Sequence, residues 1–184
     1  QALDELPRLD EQLKNQYGFA RPDGFGKSLN ELINRPSLNI RWLDSGMNRT
    51  IIPKQASVLM DIRLVKGTAG SDMVEKLSKH IEKQGFYIVD EDPDHETRMN
   101  HPDIVKITAG HATPASRTSM ELPVSLGVIK KMSNTFDRDV ALIPSLGGTI
   151  PTYMFTEILA IPAIGVPIAN PDNNQHQYDE NIRI

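Results

Sequence analysis

The chain has 184 residues, 39% hydrophobic and 24% charged, with a formal net charge of −4. This length can form one large domain or two small ones, and Lys and Arg are scattered and outnumbered by acidic residues, which argues against a nucleic-acid partner. Cysteine is absent, so disulfides and thiolate metal sites are excluded, and no window reaches the roughly 18 apolar residues of a membrane span. We therefore expect a cytoplasmic protein with neither a membrane nor a nucleic-acid partner.

The N-terminal third predicts two short helices followed by a strand. Residues 1–35 are charged and punctuated by Leu, and the Pro/Gly break in FARPDGFG separates the two predicted helices. In PSLNIRWLD, residues 36–44, the side chains of Leu38, Ile40 and Trp42 alternate with polar ones. This period of two predicts a half-buried strand with these three side chains on one face.

A second strand, a helix and a third strand follow. The stretch TIIPKQASVLMDIRLV predicts a strand with Asp61 and Arg63 on one face and a mainly apolar set on the other. SDMVEKLSKHIEKQG has the apolar repeat of an amphipathic helix, which Gly85 closes, and FYIVDED predicts the third strand. This order is typical of a small α+β layer with a helix on one face of an antiparallel sheet.

The second half of the chain predicts alternating helices and strands. An apolar stripe runs through ELPVSLGVIKKMSNTF, and Pro123 is tolerated in the first turn of that helix. Alternation of this kind favours a parallel α/β sheet, so two domains of different class are predicted to join near residues 95–102. The later predicted elements are the strand VALIPS (140–145), the helix TYMFTEIL (152–159) and the strand AIGVPIA (163–169).

A glycine pair marks the first candidate site. Gly147 and Gly148 follow a predicted strand, and Thr149 precedes a predicted helix. Glycines allow close backbone approach, and the N–H groups at a helix start can bind an anion or a carboxylate. Many strand–helix loops carry two glycines only for the turn, so both interpretations stay open. A nucleotide-phosphate site is disfavoured because no Lys follows the glycines.

The polar stretch NPDNNQHQYDEN, residues 170–181, is the second candidate site. It places His176 directly after the last predicted strand, where open α/β sheets bind ligands. Imidazole is a common metal ligand, and the carboxylates of Asp172, Asp179 and Glu180 are candidates to lie behind it. Zinc takes about three or four protein ligands, and the other four histidines lack ligand spacing. An ordinary exposed loop histidine therefore remains the alternative.

Several stretches, taken in order, resemble the C-terminal half of the di-zinc aminoacylase, carboxypeptidase and dipeptidase family. This is the clan of carnosine dipeptidase, succinyl-diaminopimelate desuccinylase and glutamate carboxypeptidase. The stretches cover residues 36–184 and comprise PSLNIRWLDSG, RTIIPKQASVLMDIRLVKG, PASRTSMELP, LGGTIPTYMFTEIL and IPAIGVPIANPDNNQHQYDENIRI. The resemblance implies a lid domain, with an antiparallel sheet and two helices on one face, that forms a homodimer. Residues 1–98 correspond to this lid, with a helical lead-in over 1–35, and residues 99–184 to the C-terminal part of an α/β zinc-hydrolase catalytic domain.

The resemblance also implies roles for individual residues. The family's last histidine stands four residues before a glutamate, as His176 does before Glu180, so His176 is expected to bind zinc with Glu180 behind it. A forked guanidinium suits a substrate carboxylate, although a surface ion pair from Arg63 to Asp61 or Glu75 is the alternative. The implied substrate-binding residues are Thr50, Arg63, Gly148 and Thr149, with Arg117 as a second cation.

The family's other metal ligands and its general base have no counterpart in this sequence. The chain also starts without Met, and we expect a fragment that holds no catalytic residue of its own. The predicted function is part of a metal-dependent peptidase or amidohydrolase that cleaves a dipeptide or N-acyl amino acid with zinc-activated water. The intact enzyme is expected to hold two zinc ions, with manganese or cobalt as alternatives. This chain alone is predicted to be inactive, and a non-catalytic dimerisation module is the alternative function.

Overall fold

The structure, a computed structural model, describes residues 10–24, 26–46, 50–170 and 172–183. The helices are α1 (Asp10–Tyr17), α2 (Leu29–Leu32), α3 (Gly70–Lys83), α4 (His95–Asn100) and α5 (Pro123–Phe136). The strands are β1 (Ser37–Asp44), β2 (Ser57–Arg63), β3 (Tyr87–Val89) and β4 (Ile104–Lys106), and a π-helical turn spans Met154–Ile158. None of the described helices is long and apolar enough to cross a membrane.

Local hydrogen bonds fix where two of the helices begin, and a proline marks the start of a third. At α2 a capping box forms, because Ser28 Oγ accepts from the Glu31 N–H at 3.3 Å and Glu31 Oε2 accepts from the Ser28 N–H at 3.1 Å. At α4 the carboxylate of Asp94 accepts from the Thr97 N–H at 2.8 Å. The Ser28 N–H favours the ionised carboxylate of Glu31, and the hydroxyl and N–H of Thr97 favour that of Asp94, so the pKa of each carboxyl lies below its usual range. Helix α5 begins with Pro123 in its first turn, as predicted.

Strands β1 and β2 pair antiparallel, with a bulge at Arg41. Ile40 pairs with Met60 and Trp42 pairs with Leu59, so Arg41 is the extra residue between two consecutive partners. The prediction that Trp42 lies on the face of Leu38 and Ile40 is therefore wrong, because the bulge shifts the alternation by one residue. In the resulting register the apolar face carries Leu38, Ile40, Leu43, Val58, Met60 and Ile62, and the polar face carries Ser37, Asn39, Trp42, Asp44, Ser57, Leu59, Asp61 and Arg63.

Strand β3 does not join this sheet. It pairs in parallel with β4, Tyr87 lying opposite Ile104, so the prediction of a third strand in an antiparallel sheet is wrong. The 14 residues between the two strands contain α4, which the sequence analysis did not identify, and a crossover of this kind is what parallel pairing requires. The pair spans the predicted boundary between residues 98 and 99, and the position of that boundary stays a prediction.

The C-terminal half forms α5 as predicted but none of the strands expected after it. Residues 140–145 and 163–169 are extended or irregular, and the predicted helix over 152–159 is the π-helical turn. A strand needs a neighbouring strand for its N–H and C=O groups, and none of the described strands pairs with either stretch. Pro144 and Pro167 also remove a donor from each stretch. The α+β class of the lid is confirmed by the β1–β2 sheet and its accompanying helices.

The chain exposes far more surface than a compact domain of its mass. Its accessible area is 15590 Å², whereas a folded monomer of 20.5 kDa exposes roughly 9,000 Å². Of the described hydrophobic side chains none is buried, and on the apolar sheet face Ile40 and Leu43 are 64% and 72% exposed. The described elements therefore do not close a hydrophobic core among themselves.

Candidate substrate-binding site

The end of β2 meets the glycine loop at Arg63. Its Nη1 donates to Thr149 Oγ1 at 2.9 Å, and its Nε lies 2.6 Å from Asp61 Oδ2. Two of the five N–H donors of the guanidinium are thereby engaged and three are left for a ligand. The side chain of Arg63 is 49% exposed, and that of Asp61 is 29% exposed. Glu75, the other proposed partner of Arg63, instead pairs with Lys79 at 2.5 Å.

Two further polar contacts join the predicted lid to the predicted C-terminal segment, residues 99–184. Lys66 Nζ lies 2.5 Å from Glu157 Oε1 in the π-helical turn, and Ser145 Oγ donates to Asn34 Oδ1 at 2.9 Å. The Lys66 ammonium, helped by the Thr156 hydroxyl, holds the pKa of the Glu157 carboxyl below its usual range. These contacts hold the glycine loop and the π-helical turn beside β2.

Hydroxyl groups attach the stretch around Arg117 to the same region. The hydroxyls of Ser116 and Thr152 lie 2.6 Å apart, and Thr118 Oγ1 accepts from the Ala163 N–H at 2.9 Å. The two contacts lie on either side of Arg117 in the sequence and tie its backbone to the segment after the glycine loop. Arg117 belongs to no helix or strand, and its position is set by the hydrogen bonds of the residues on either side of it.

An open cleft of about 1480 Å³ lies between β2, α3, α5 and the C-terminal loops. Of the predicted substrate-binding residues, Arg63, Arg117, Gly148 and Thr149 line this cleft, and Thr50 is not among its lining residues. A Cβ built on Gly148 would meet no atom within 4 Å, so the backbone beside Thr149 is open on that side. The structure thus brings four of the five residues to one cleft, while their roles stay predictions.

The polar stretch that contains His176, here called the histidine loop, folds back on itself through hydrogen bonds between its own polar groups. Asn170 anchors it, because its Oδ1 accepts from the Arg183 N–H at 2.9 Å and its Nδ2 donates to Asp172 Oδ1 at 2.8 Å. His176 is exposed and has a left-handed backbone, with φ 69°. Its N–H donates to Glu180 Oε2 at 3.3 Å. The predicted neighbour Glu180 therefore contacts the main chain of His176.

The described residues do not by themselves fit a zinc centre. Within them no group of three or more His, Asp or Glu side chains could hold a metal ion, whereas zinc takes about three or four protein ligands. His176 could supply one of these ligands. The others would have to come from another polypeptide segment.

Sequence reasoning missed several polar residues of this region. Lys66, Glu157, Ser116 and Thr152 lie in the stretches that carry the resemblance, but no role was assigned to them, and their contacts span 91 and 36 positions of the chain. Asp61 was considered only as an alternative partner for Arg63. Its position two residues before Arg63 on the same strand face was the available signal.

Comparisons with known proteins find a domain that matches residues 1–87 and two solved structures whose fold resembles nearly the whole chain. Residues 1–87 match the peptidase dimerisation domain, M20_dimer, and a comparison with curated protein sequences finds no match. The M20 family metallo-carboxypeptidase Sso-CP2 from Sulfolobus solfataricus is similar over 98% of this chain and 39% of its own, with TM-score 0.69 and 22% identity. Human carnosine dipeptidase 1 is similar over 98% of this chain and 37% of its own, with TM-score 0.61 and 21% identity.

The chain spans about two fifths of the length of these two proteins. At this identity the likeness establishes the fold, and it extends over nearly the whole of the chain. The resemblance found in the sequence is thereby confirmed. Residues 1–87 match the peptidase dimerisation domain, and the chain has the fold of the corresponding two fifths of these two peptidases.

Proposed function

We propose that this chain is the lid and the C-terminal catalytic segment of a metal-dependent peptidase or amidohydrolase. The substrate class is a dipeptide or an N-acyl amino acid with a free carboxylate. The observation that carries the proposal is the 2.9 Å hydrogen bond from Arg63 to Thr149. The resemblance implies a substrate-binding role for each of these two residues, which lie 86 positions apart in the chain.

The chemistry of the cleft suits a carboxylate. The guanidinium of Arg63 can bind a carboxylate through two parallel N–H donors, and Arg63 and Arg117 line the same cleft. The Thr149 hydroxyl and the open backbone at Gly148 add neutral hydrogen-bonding groups beside this charge. Thr50, in the turn before β2, is proposed to contact the substrate from the lid side.

Water activation is proposed to depend on a second polypeptide segment. When bound, two zinc ions would supply a hydroxide nucleophile at neutral pH, and His176 is proposed as the one ligand from this chain. Manganese and cobalt are the alternative metals. The remaining ligands and the general base would come from the segment that the two similar structures possess beyond the length of this chain.

A homodimer through the lid is the proposed assembly. Residues 1–87 match a dimerisation domain, and on β1 the side chains of Ile40, Trp42 and Leu43 are more than half exposed. Among the described strands, β1 pairs only with β2. Its other edge therefore has backbone donors and acceptors that a second copy could pair with.

The test is made on the full-length enzyme, the polypeptide that joins this chain to the proposed metal-binding segment. His176→Ala should remove about one metal ion per subunit and most of the hydrolysis of dipeptides or N-acyl amino acids. His80→Ala, at an exposed position of α3, is the matched control and should change neither metal content nor turnover. The 184-residue chain alone, supplied with zinc or manganese, should show no hydrolysis.

Two results would contradict the proposal. Retained metal and turnover in His176→Ala would make His176 an ordinary loop histidine. Metal-dependent hydrolysis by the 184-residue chain would show that it contains the whole catalytic centre. A full-length protein that forms dimers but binds no metal would favour the non-catalytic dimerisation module instead.

A further inference from the structure

We propose that Asp61 is a positioning residue that fixes the guanidinium plane of Arg63 and so selects how a substrate carboxylate is bound. The consequence for the substrate rests on the proposed function. The contact between Asp61 and Arg63 does not, and it can be tested on the chain by itself.

The sheet register places the two side chains together. Asp61 and Arg63 are two residues apart on β2 and therefore lie on the same, polar face. The residues opposite them on β1 are Asn39 and Ser37, which are uncharged. The described neighbours across the sheet thus bring no competing charge to the pair.

The guanidinium is held at two different atoms. Asp61 Oδ2 lies 2.6 Å from Nε, and Thr149 Oγ1 accepts from Nη1 at 2.9 Å. A guanidinium is planar, so contacts at Nε and at Nη1 together fix the rotation of the plane. One contact comes from β2 itself and the other from the glycine loop.

This arrangement leaves a defined set of donors for a ligand. With Nε engaged by Asp61, a carboxylate must bind through the two hydrogens of Nη2 and the remaining hydrogen of Nη1. Asp61 also neutralises much of the charge of Arg63, so the site depends less on long-range attraction and more on geometry. We infer that it selects a planar carboxylate that can approach the terminal nitrogens.

The side chain of Asp61 is the better sheltered of the two, at 29% exposed against 49% for Arg63. A fully solvated ion pair of two flexible side chains contributes little to order. Here the acidic partner is short, partly shielded and carried by a strand, which makes it the fixed member of the pair. Arg63, with the longer side chain, is the member that is oriented.

The first measurement is hydrogen exchange of the Arg63 Nε–H group by NMR on the 184-residue chain. Asp61→Ala removes the acceptor and should speed this exchange by about tenfold or more, the factor that corresponds to one hydrogen bond to a charged group. Asp61→Asn keeps an oxygen acceptor of the same reach and should retain most of the protection. Glu75→Ala, which breaks the exposed pair with Lys79, is the matched control and should leave the exchange rate of Arg63 unchanged.

Unchanged exchange in Asp61→Ala would overturn the proposal. Equal acceleration in Asp61→Ala and Asp61→Asn would also overturn it, because the effect would then come from charge and not from a held geometry. The helical circular dichroism of each variant is compared with that of the wild-type chain. If Asp61→Ala is unfolded, Asp61→Val, which also lacks an acceptor and suits a strand, takes its place: faster exchange of the Arg63 Nε–H than in the wild type supports the proposal, and an unchanged rate counts against it.

The second measurement separates this inference from the proposed function. N-acetyl-L-alanine, which has one free carboxylate, is titrated against the chain and compared with its methylamide, which has none. The wild-type Nε resonance of Arg63 should respond only to the carboxylate, with affinity about tenfold lower in Asp61→Ala and nearly unchanged in Asp61→Asn. No response in the wild type would overturn carboxylate binding at Arg63, while the exchange rates would still decide the role of Asp61.

Discussion

The close approach of α3 to the segment before Arg117 gives a sharp test of packing. Gly70 is the first residue of α3, and a Cβ built on it would lie 2.5 Å from Ala112 Cβ. Carbon atoms in contact lie about 3.5–4.0 Å apart, so Gly70→Ala requires a movement of about 1 Å. Ala112 Cβ is attached directly to the backbone and cannot rotate away. The start of α3 or the backbone around Ala112 must therefore shift.

Two opposing effects determine how much Gly70→Ala changes the free energy of unfolding. Overpacking of this kind costs about 1–3 kcal/mol, and replacing Gly by Ala in a helix contributes up to about 1 kcal/mol of stability. The net expectation for Gly70→Ala is a loss of about 0–3 kcal/mol in the free energy of unfolding. Gly127→Ala in α5 is the matched control, because a Cβ there meets no atom within 4 Å, and it should be stabilising.

The assay is denaturant unfolding followed by helical circular dichroism, arranged as a double-mutant cycle. Ala112→Gly removes the opposing methyl group, so adding it to Gly70→Ala should recover the steric cost. A coupling free energy of about 1–3 kcal/mol between the two substitutions is expected. If Gly70→Ala stabilises the chain as much as Gly127→Ala, in both backgrounds, then α3 does not approach Ala112 as described.

Three further outcomes are expected. The chain should sediment as a dimer at high micromolar concentration, and Trp42→Asp, at a side chain 52% exposed on β1, should shift it toward monomer; a wild-type chain that stays monomeric would refute lid pairing. Because the folded-state pKa of Glu157 is lowered by Lys66, their pairing stabilises the chain above the usual glutamate pKa and is lost as the pH falls below about 4. The unfolding midpoint of Lys66→Gln should therefore lie below that of the wild type at pH 7 and approach it at pH 3, and a constant difference would exclude this pairing. Ser125→Ala should lower the free energy of unfolding by about 0.5–1.5 kcal/mol, the net contribution of one hydrogen bond, because the 5% exposed Ser125 donates to the Ser119 carbonyl at 2.8 Å; no change in denaturant midpoint would contradict this.

Elements with strong local signals could be predicted from the sequence. Helix α3 has a regular apolar repeat and a glycine just after its end, and α5 has Pro123 where a helix tolerates it. Strand β2 follows its predicted alternation across all seven residues. In these cases the hydrophobic period and the terminating residues agree, so tertiary contacts do not have to decide the structure.

Elements that depend on distant partners could not be predicted. Strand β3 was predicted as a strand but with the wrong partner, β4 is three residues long and too short for a period to be read, and α4 depends on one capping carboxylate, Asp94. The stretches 140–145 and 163–169 have strand-like composition, but their pairing depends on neighbours that the described residues do not supply. The bulge falls at an arginine, a residue type that carries no bulge signal, so its effect on Trp42 was invisible in the sequence.

The residues of the candidate site could be predicted from the sequence, but the contacts between their side chains could not. Family resemblance named Arg63, Thr149 and Gly148, and the structure brings them to one cleft. The pairing of Lys66 with Glu157 and the hold of Asp61 on Arg63 are side-chain contacts that sequence spacing does not encode. They follow only when the end of β2 and the glycine loop lie side by side.

The bulge at Arg41 has a consequence for how the length of this sheet can vary among related proteins. The residues on either side of it pair with consecutive residues of β2, since Ile40 pairs with Met60 and Trp42 pairs with Leu59. Deleting Arg41 would join the two halves into one uninterrupted ladder and keep each existing pair. Deleting any other residue of β1 would move apolar side chains onto the wrong face. Natural one-residue gaps in homologous sequences should therefore fall at this arginine and spare its neighbours.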